Sequence, residues 1–385
     1  MSAYHQLGHH SANLVLEPSL AKYKGVVLSP VNYSPTETLE CCANVRKKRS
    51  DLDIVFDPQL YVPLQGRGSL PTWGYMPDGV DTADLTTKEA WLGIIDKIIG
   101  AAKPFAPNGI CSPAPHPRAA SNDYYEFLTD LGNVLVNKVK DSPLRPFLTA
   151  LVEMQDLAIS KRHLQVASLL SKFKGTDIYL VLSDDTSPRL ERTRSNELEA
   201  AARLIRLLEN AGYKVLVSTT SSEMVLWKAA GAAHVATGKF FNLRRFTRGR
   251  FDVEEESGGR NLWYWFEPSL LAFLREADLA RFRALLPLSP THAENPYSKA
   301  ILEKLGVAER TPVLADSWRQ YMYWFAQCES AIDGNPGAVV GMLDDAEERW
   351  EAVGINRLKF EERKNNGEWV RAWAIALNEL VQRPD

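Results

Sequence analysis

Asp177-Ile178-Tyr179-Leu180-Val181-Leu182-Ser183 is an apolar run with polar ends. A helical stretch over 195–210 follows, then Gly212, then a second apolar run, Lys214-Val215-Leu216-Val217-Ser218. Runs that are apolar without alternation are buried on both faces, as in a parallel sheet covered by helices. Gly212 stands where a helix end favours a backbone of positive φ. The stretch therefore reads as a strand–helix–strand unit, and the rest of the chain can be read outward from it.

Towards the N-terminus, apolar runs at 25–30, 52–58, 109–113 and 147–154 read as strands, the last also suiting a helix. Helical patterns at 35–49, 86–101, 122–139 and 161–173 separate them, with Thr86 and Glu89 spaced as a capping box. Towards the C-terminus, 234–238 and 262–266 read as strands, with helices at 222–230 and 268–285. About eight strand–helix units predict an α/β protein, a closed (β/α)8 TIM-type barrel over 25–289. No GxGxxG follows the first run, which disfavours an open dinucleotide-binding sheet. Residues 1–24, polar and carrying His5, His9 and His10, read as a flexible lead-in. After Pro290 the strands stop, and 290–385 reads as a helical C-terminal appendage rich in Trp and Tyr. Its aromatics either pack on the barrel or form a contact surface for a protein partner or a second copy.

Composition bounds the function classes. Of 385 residues, 45% are hydrophobic and 24% charged, with a formal net charge of -3, so contact with a polyanion must come from a local basic patch. Four cysteines, Cys41, Cys42, Cys111 and Cys328, show no CxxC spacing, which suits a reducing compartment. No run approaches the ~20 apolar residues that span a bilayer, and no signal-peptide pattern opens the chain. A cytoplasmic protein without membrane contact is expected.

Reactive groups of such barrels follow the strand C-termini, where the loops share one mouth. That rule singles out Asp57, Asp184 and Asp185 as candidate catalytic carboxylates, since a carboxylate there can act as general base or hold a substrate or Mg²⁺. Asp57 can equally be a turn residue before Pro58, and Asp184 can pair with Arg189, Arg192 or Arg194. The seven histidines form no HxH or HExxH arrangement, so no zinc site is expected; His116 and His234 read as structural. The basic segment over 237–250 interleaves Lys239, Arg244, Arg245, Arg248 and Arg250 with Phe240, Phe241 and Phe246. Gly238, Lys239, Arg244 and Arg245 are candidates for holding a phosphate near the last strands. The phenylalanines suit stacking on an unpaired base, or belong to the core with the charges balanced by the acidic run at 252–256. Lys239, at a strand end, is also a candidate for Schiff-base chemistry.

Leu182-Ser183-Asp184-Asp185-Thr186-Ser187-Pro188 before the helix at 195 resembles the strand–acid–turn motif of tRNA-guanine transglycosylases, which are modified TIM barrels. The run from Val215 through Ser222-Glu223 and Ala230-Gly231-Ala232 is similar to that family's late barrel in cadence. The resemblance implies a base-recognising role for Asp184. The family's nucleophilic aspartate and CxCxxC zinc ligands have no counterpart here: Gly238-Lys239-Phe240 occupies the place of the first, without a carboxylate. Two functions follow as expectations. One is a barrel enzyme, a transferase or hydrolase, performing glycosyl exchange or hydrolysis on a nucleotide or nucleic acid, with metal-assisted hydrolysis as a further version. The other is a non-catalytic barrel serving as a binding or scaffold subunit.

Overall fold

The computed structural model describes residues 3–63, 65–77, 85, 87–251, 262–305, 313–332, 334–362 and 365–382. Eight parallel strands form a closed barrel in sequence order: β1 (Ala3–Gln6), β2 (Tyr23–Leu28), β3 (Asp53–Phe56), β4 (Gly109–Cys111), β5 (Arg145–Glu153), β6 (Asp177–Ser183), β7 (Lys214–Ser218) and β8 (His234–Thr237). Between them run α1 (Pro35–Lys48), α2 (Lys88–Ala102), α3 (Asn122–Val139), the short α4 (Met154–Leu157), α5 (Arg162–Leu170), α6 (Ser195–Asn210) and α7 (Met224–Ala229). The expected (β/α)8 architecture is present, and the ambiguous run before Met154 is strand β5.

The ring closes differently from the expectation. Its first strand lies inside the stretch read as a lead-in: β1 pairs in parallel with both β2 and β8. Ala3-Tyr4-His5-Gln6 carries half polar side chains and no hydrophobic run, so nothing in its composition marks a strand. It is nonetheless wholly buried because it is the closing stave. The aromatic run at 262–266 contributes β9 (Trp265–Glu267), which pairs antiparallel with β10 (Ala272–Leu274) outside the ring. Pro268 and the positive φ of Leu271 turn the chain back within four residues, too few for the crossover that a parallel strand needs.

Helix starts follow their capping residues. Ser34 and Glu37 form a reciprocal capping box on α1, and the Ser121 hydroxyl caps α3. The expected cap Thr86 lies outside the described residues. Beyond the barrel come α8 (Glu276–Leu285), α9 (Ser298–Glu303), α10 (Leu314–Ile332), α11 (Pro336–Ile355) and α12 (Glu368–Gln382). α10 takes the place of an eighth outer helix. It packs on β1, its Met322 carbonyl accepts from the Tyr23 hydroxyl at 3.1 Å, and Tyr321 meets Thr237 at 3.3 Å. A buried Lys228–Glu329 ion pair at 3.2 Å ties it to α7.

α11 and α12 form a second layer over α6 and α7. The inward stripe of α12, Trp369, Trp373, Leu377 and Leu380, is almost fully buried, at about 1.5–3 kcal/mol for each large side chain. At the N-terminal end of the barrel, Tyr4 donates to Asp53 at 2.6 Å and Arg145 spans Asp53 and Asp177. This face carries stability, not chemistry. Among the described residues no helix is long and apolar enough to cross a membrane.

Candidate functional site

The mouth side carries three distinct groupings. The first is the polar centre beneath the mouth. Asp57, just after β3, accepts from the Gln59 N–H at 2.9 Å and the Tyr61 hydroxyl at 2.9 Å. Burial pushes its carboxyl up to about 6, while Gln59, Tyr61 and Arg250 draw it back. Arg250, itself lowered to about 10 by burial, reaches Ser29 Oγ at 3.4 Å. Phe246 and Phe251 lie over this centre and against Tyr61, at 5.0 and 4.9 Å between ring centroids. His116 stacks on Phe246. The segment after β8 thus fills the mouth instead of rimming it. Two non-glycine residues here hold positive φ, Gln59 at 55° and the β-branched Thr219 at 49°, a strain that structures retain mostly at functional positions.

The second grouping is a buried ion network. Asp184 accepts from Arg192 and from the Thr186 N–H. Burial pushes its carboxyl up, but Arg192 and Arg245 together hold it below the usual aspartate range. Arg192 also meets Glu223 at 2.7 Å and the Leu182 carbonyl at 3.2 Å, and its own carbonyl accepts from Trp373 of α12 at 2.9 Å. Asp185, by contrast, is exposed and pairs with Arg194 at 2.9 Å. The two aspartates, adjacent in sequence, occupy opposite environments: Asp184 is buried against Arg192, and Asp185 is exposed and paired with Arg194, so they do not form one shared site.

The proposed phosphate clamp is not formed. Arg245 is buried, donates to the Ser187 and Leu190 carbonyls, and pairs with Glu191 at 3.5 Å and Glu223 at 3.6 Å. Arg244 donates to the Gly238 and Lys239 carbonyls at 2.9 and 3.0 Å, with its guanidinium 3.8 Å from the centre of the Tyr321 ring. Each turns inward to satisfy backbone carbonyls that a loop packed in the interior leaves without water. Gly238 serves close packing: a Cβ there would stand 2.3 Å from Leu243.

The third grouping is an open cleft of about 460 Å³ between the loop after β6 and the segment after β8. Its walls include Phe240, Phe241, Tyr264, Phe273 and Trp318. Phe241 stands edge-on to Tyr264 at 4.9 Å and to Phe273 at 5.0 Å. Lys239 Nζ sits 4.4 Å from the Trp318 ring centre and 4.7 Å from that of Phe240, and donates to the His10 carbonyl at 3.3 Å. Burial, then the nearby Arg319, lowers its ammonium to about 8. Arg189 and Asn242 are exposed at the same cleft and make no hydrogen bond or ion pair among the described residues. No carboxylate lines the cleft among those residues; the acidic run at 252–256 lies outside them.

Of the residues singled out by sequence, Lys239 and Arg244 line the aromatic cleft, and of these two Arg244 is taken up by backbone carbonyls and the Tyr321 ring. Asp184 and Arg245 are brought together, but inside the wall. The sequence does not mark Glu191, offers Arg189 only as a partner for Asp184, and offers Trp318 only as one of the C-terminal aromatics. Arg192 had been offered only as one of three partners for Asp184, and Trp318 is some 80 residues from Lys239 in the chain. Glu191, pushed up to about 7 chiefly by burial, accepts from Ser222 at 3.2 Å and leaves Oε2 without a hydrogen bond. Among the described residues no three His, Cys, Asp or Glu side chains are grouped to hold a metal ion. Asp57 and Asp184, the carboxylates that could hold Mg²⁺, lie in separate groupings, the one held by Gln59 and Tyr61 and the other by Arg192.

No protein-family model matches the chain, and comparison with curated proteins gives no match. Among solved structures, the chain is similar to a variant of Rhizobium etli pyruvate carboxylase with the allosteric activator acetyl coenzyme-A. The identity is 12% and the TM-score 0.36, over 99% of this chain. The chain spans about a third of that protein's length (32%), and a likeness so distant carries no argument about activity.

Proposed function

We propose that this barrel binds a phosphate-bearing nucleotide, free or at the end of a single strand, in the Lys239 cleft. The observation that carries the reading is a partly desolvated ammonium without a carboxylate partner among the described residues, set over two aromatic rings in a cleft walled by five. Phosphate would pair with Lys239 and Arg189, the base would lie against the rings, and Asn242 would offer its amide to the base edge. The cavity volume falls in the range of small-ligand sites, and the location beside the last strand is where barrels commonly hold phosphate. Four free thiols suit a reducing, cytoplasmic setting. The test is calorimetric titration with a nucleoside monophosphate and its nucleoside. The nucleotide is expected to bind tighter, and Lys239→Met to erase the difference. Equal or absent binding of both ligands would overturn the reading.

The catalytic version, glycosyl exchange or hydrolysis by a transferase or hydrolase, needs a carboxyl group beside the cleft. Glu191, which lines a small neighbouring cavity together with Arg189, Phe241 and Phe273 of the cleft, is a group in a suitable protonation range. Asp184 cannot recognise a base as the transglycosylase likeness implies while Arg192 holds it. A Glu191→Gln variant that binds nucleotide but releases no base, against a releasing wild type, would support this version. A second reading, a non-catalytic binding or scaffold subunit, is favoured by the mutual neutralisation of Asp184, Arg192, Glu223 and Arg245 and by the filled mouth. It predicts nucleotide binding with no turnover by wild type.

A further inference from the structure

A cavity of about 1000 Å³ lies away from the mouth, between α10 and α11. These helices are consecutive, yet each leans on α7 and they touch one another only sparingly. A trough remains between them. One wall is the α10 stripe Tyr323, Gln327 and Ala331, with Trp324 and Cys328 beneath. The other is the α11 stripe Ala338, Gly341, Asp345, Glu348 and Ala352, which follows the three-and-four spacing of a single helix face.

We infer that this trough is a docking site for a basic amphipathic helix of a partner protein. Length and section fit a helix. The α11 stripe runs roughly 21 Å at about 1.5 Å per residue, and a helix about 10 Å across over that length fills roughly 1,600 Å³. The cavity therefore takes up one face of such a helix and leaves the other in solvent, the helix-in-groove arrangement. Small residues make the approach possible: a Cβ on Gly341 would meet nothing within 4 Å, and Ala331, Ala338 and Ala352 add little bulk. Charge selects the partner. Glu294, Asp345 and Glu348 stand at the rim against one Arg349, and none of the four makes an ion pair among the described residues. An acidic rim over an apolar floor of Trp324, Met342 and Pro290 complements a helix with leucine-like residues on one face and lysine or arginine flanking it.

The experiment is selection of the full-length protein against a displayed library of helical peptides, with Gly341→Leu as the counter-selection. That substitution places a side chain in the trough and favours the helix, so the variant is expected to fold at least as stably as wild type. Enriched peptides are expected to be basic and amphipathic, and to lose at least tenfold in affinity towards Gly341→Leu. The exposed double variant Asp345→Lys/Glu348→Lys is expected to lose at least tenfold and to prefer acidic peptides. Failure to enrich any peptide, enrichment of neutral or acidic ones, or equal binding by the variants would overturn the proposal. So would self-association that Gly341→Leu abolishes in light scattering, since the occupant would then be a second copy.

Discussion

Asp57→Asn removes a carboxyl group held at the centre of the barrel mouth. In the folded chain its pKa lies at about 6, against an ordinary 3.8, because burial penalises the carboxylate. A folded value above the unfolded one means that folding takes up a proton. The associated stability is full below about pH 4 and is lost as pH rises towards 6. The gap of about two pKa units corresponds to about 3 kcal/mol, at about 1.4 kcal/mol per unit, and full burial leaves little solvent screening to reduce it. Asparagine does not titrate, so the difference in stability between wild type and variant should change by about 3 kcal/mol between about pH 3 and about pH 7. Wild type gains relative to the variant as pH falls. Urea unfolding of both proteins across that range measures it, and the pH dependence of the difference is insensitive to any fixed cost of the lost Tyr61 contact. A difference that stays flat with pH would refute the reasoning. The carboxyl would then be as well solvated or paired as in the unfolded chain.

Three further outcomes follow from the same physics. Arg192→Met leaves Asp184 and Glu223 buried without their nearest counter-ion, with only the more distant Arg245 remaining, and should cost about 3–5 kcal/mol, whereas Asp185→Asn, at an exposed pair, should stay within about 0.5 kcal/mol in denaturant unfolding. His5, fully buried and lowered to about 4, binds its proton more weakly folded than unfolded. Stability should therefore hold above about pH 6.5 and fall by about 3 kcal/mol as pH drops towards 4, and His5→Gln should lose that component of the decline. Gly212→Ala should cost about 1–2 kcal/mol from its positive φ alone, since a Cβ there meets no neighbour; an unchanged unfolding midpoint would contradict the assignment.

The barrel was legible because β2 to β8 are short runs that must be apolar on both faces, and helices with clear periods separate them. β1 was hidden because it is four residues long and half polar; its burial comes from position in the ring, not from composition. The aromatic run ending at Phe266 drew attention as the missing strand, since strand propensity does not distinguish a stave from a hairpin. For the site, Lys239 was legible by its place after β8. Arg244 and Arg245 were misplaced because sequence shows a charge but not which way it turns. In a packed loop the backbone carbonyls compete with any phosphate for the guanidinium. Trp318 was legible only as one of the C-terminal aromatics, since only the docking of α10 brings it to Lys239.

The most direct test is the affinity for a nucleoside monophosphate measured from pH 7 to pH 10. If Lys239 with a pKa of about 8 holds the phosphate, affinity should stay level to about pH 8. It should then fall about tenfold per pH unit until the ammonium of the bound state itself deprotonates. Lys239→Arg should stay flat over the whole range. A pH-independent affinity in wild type, or one that Lys239→Met leaves unchanged, would contradict the account.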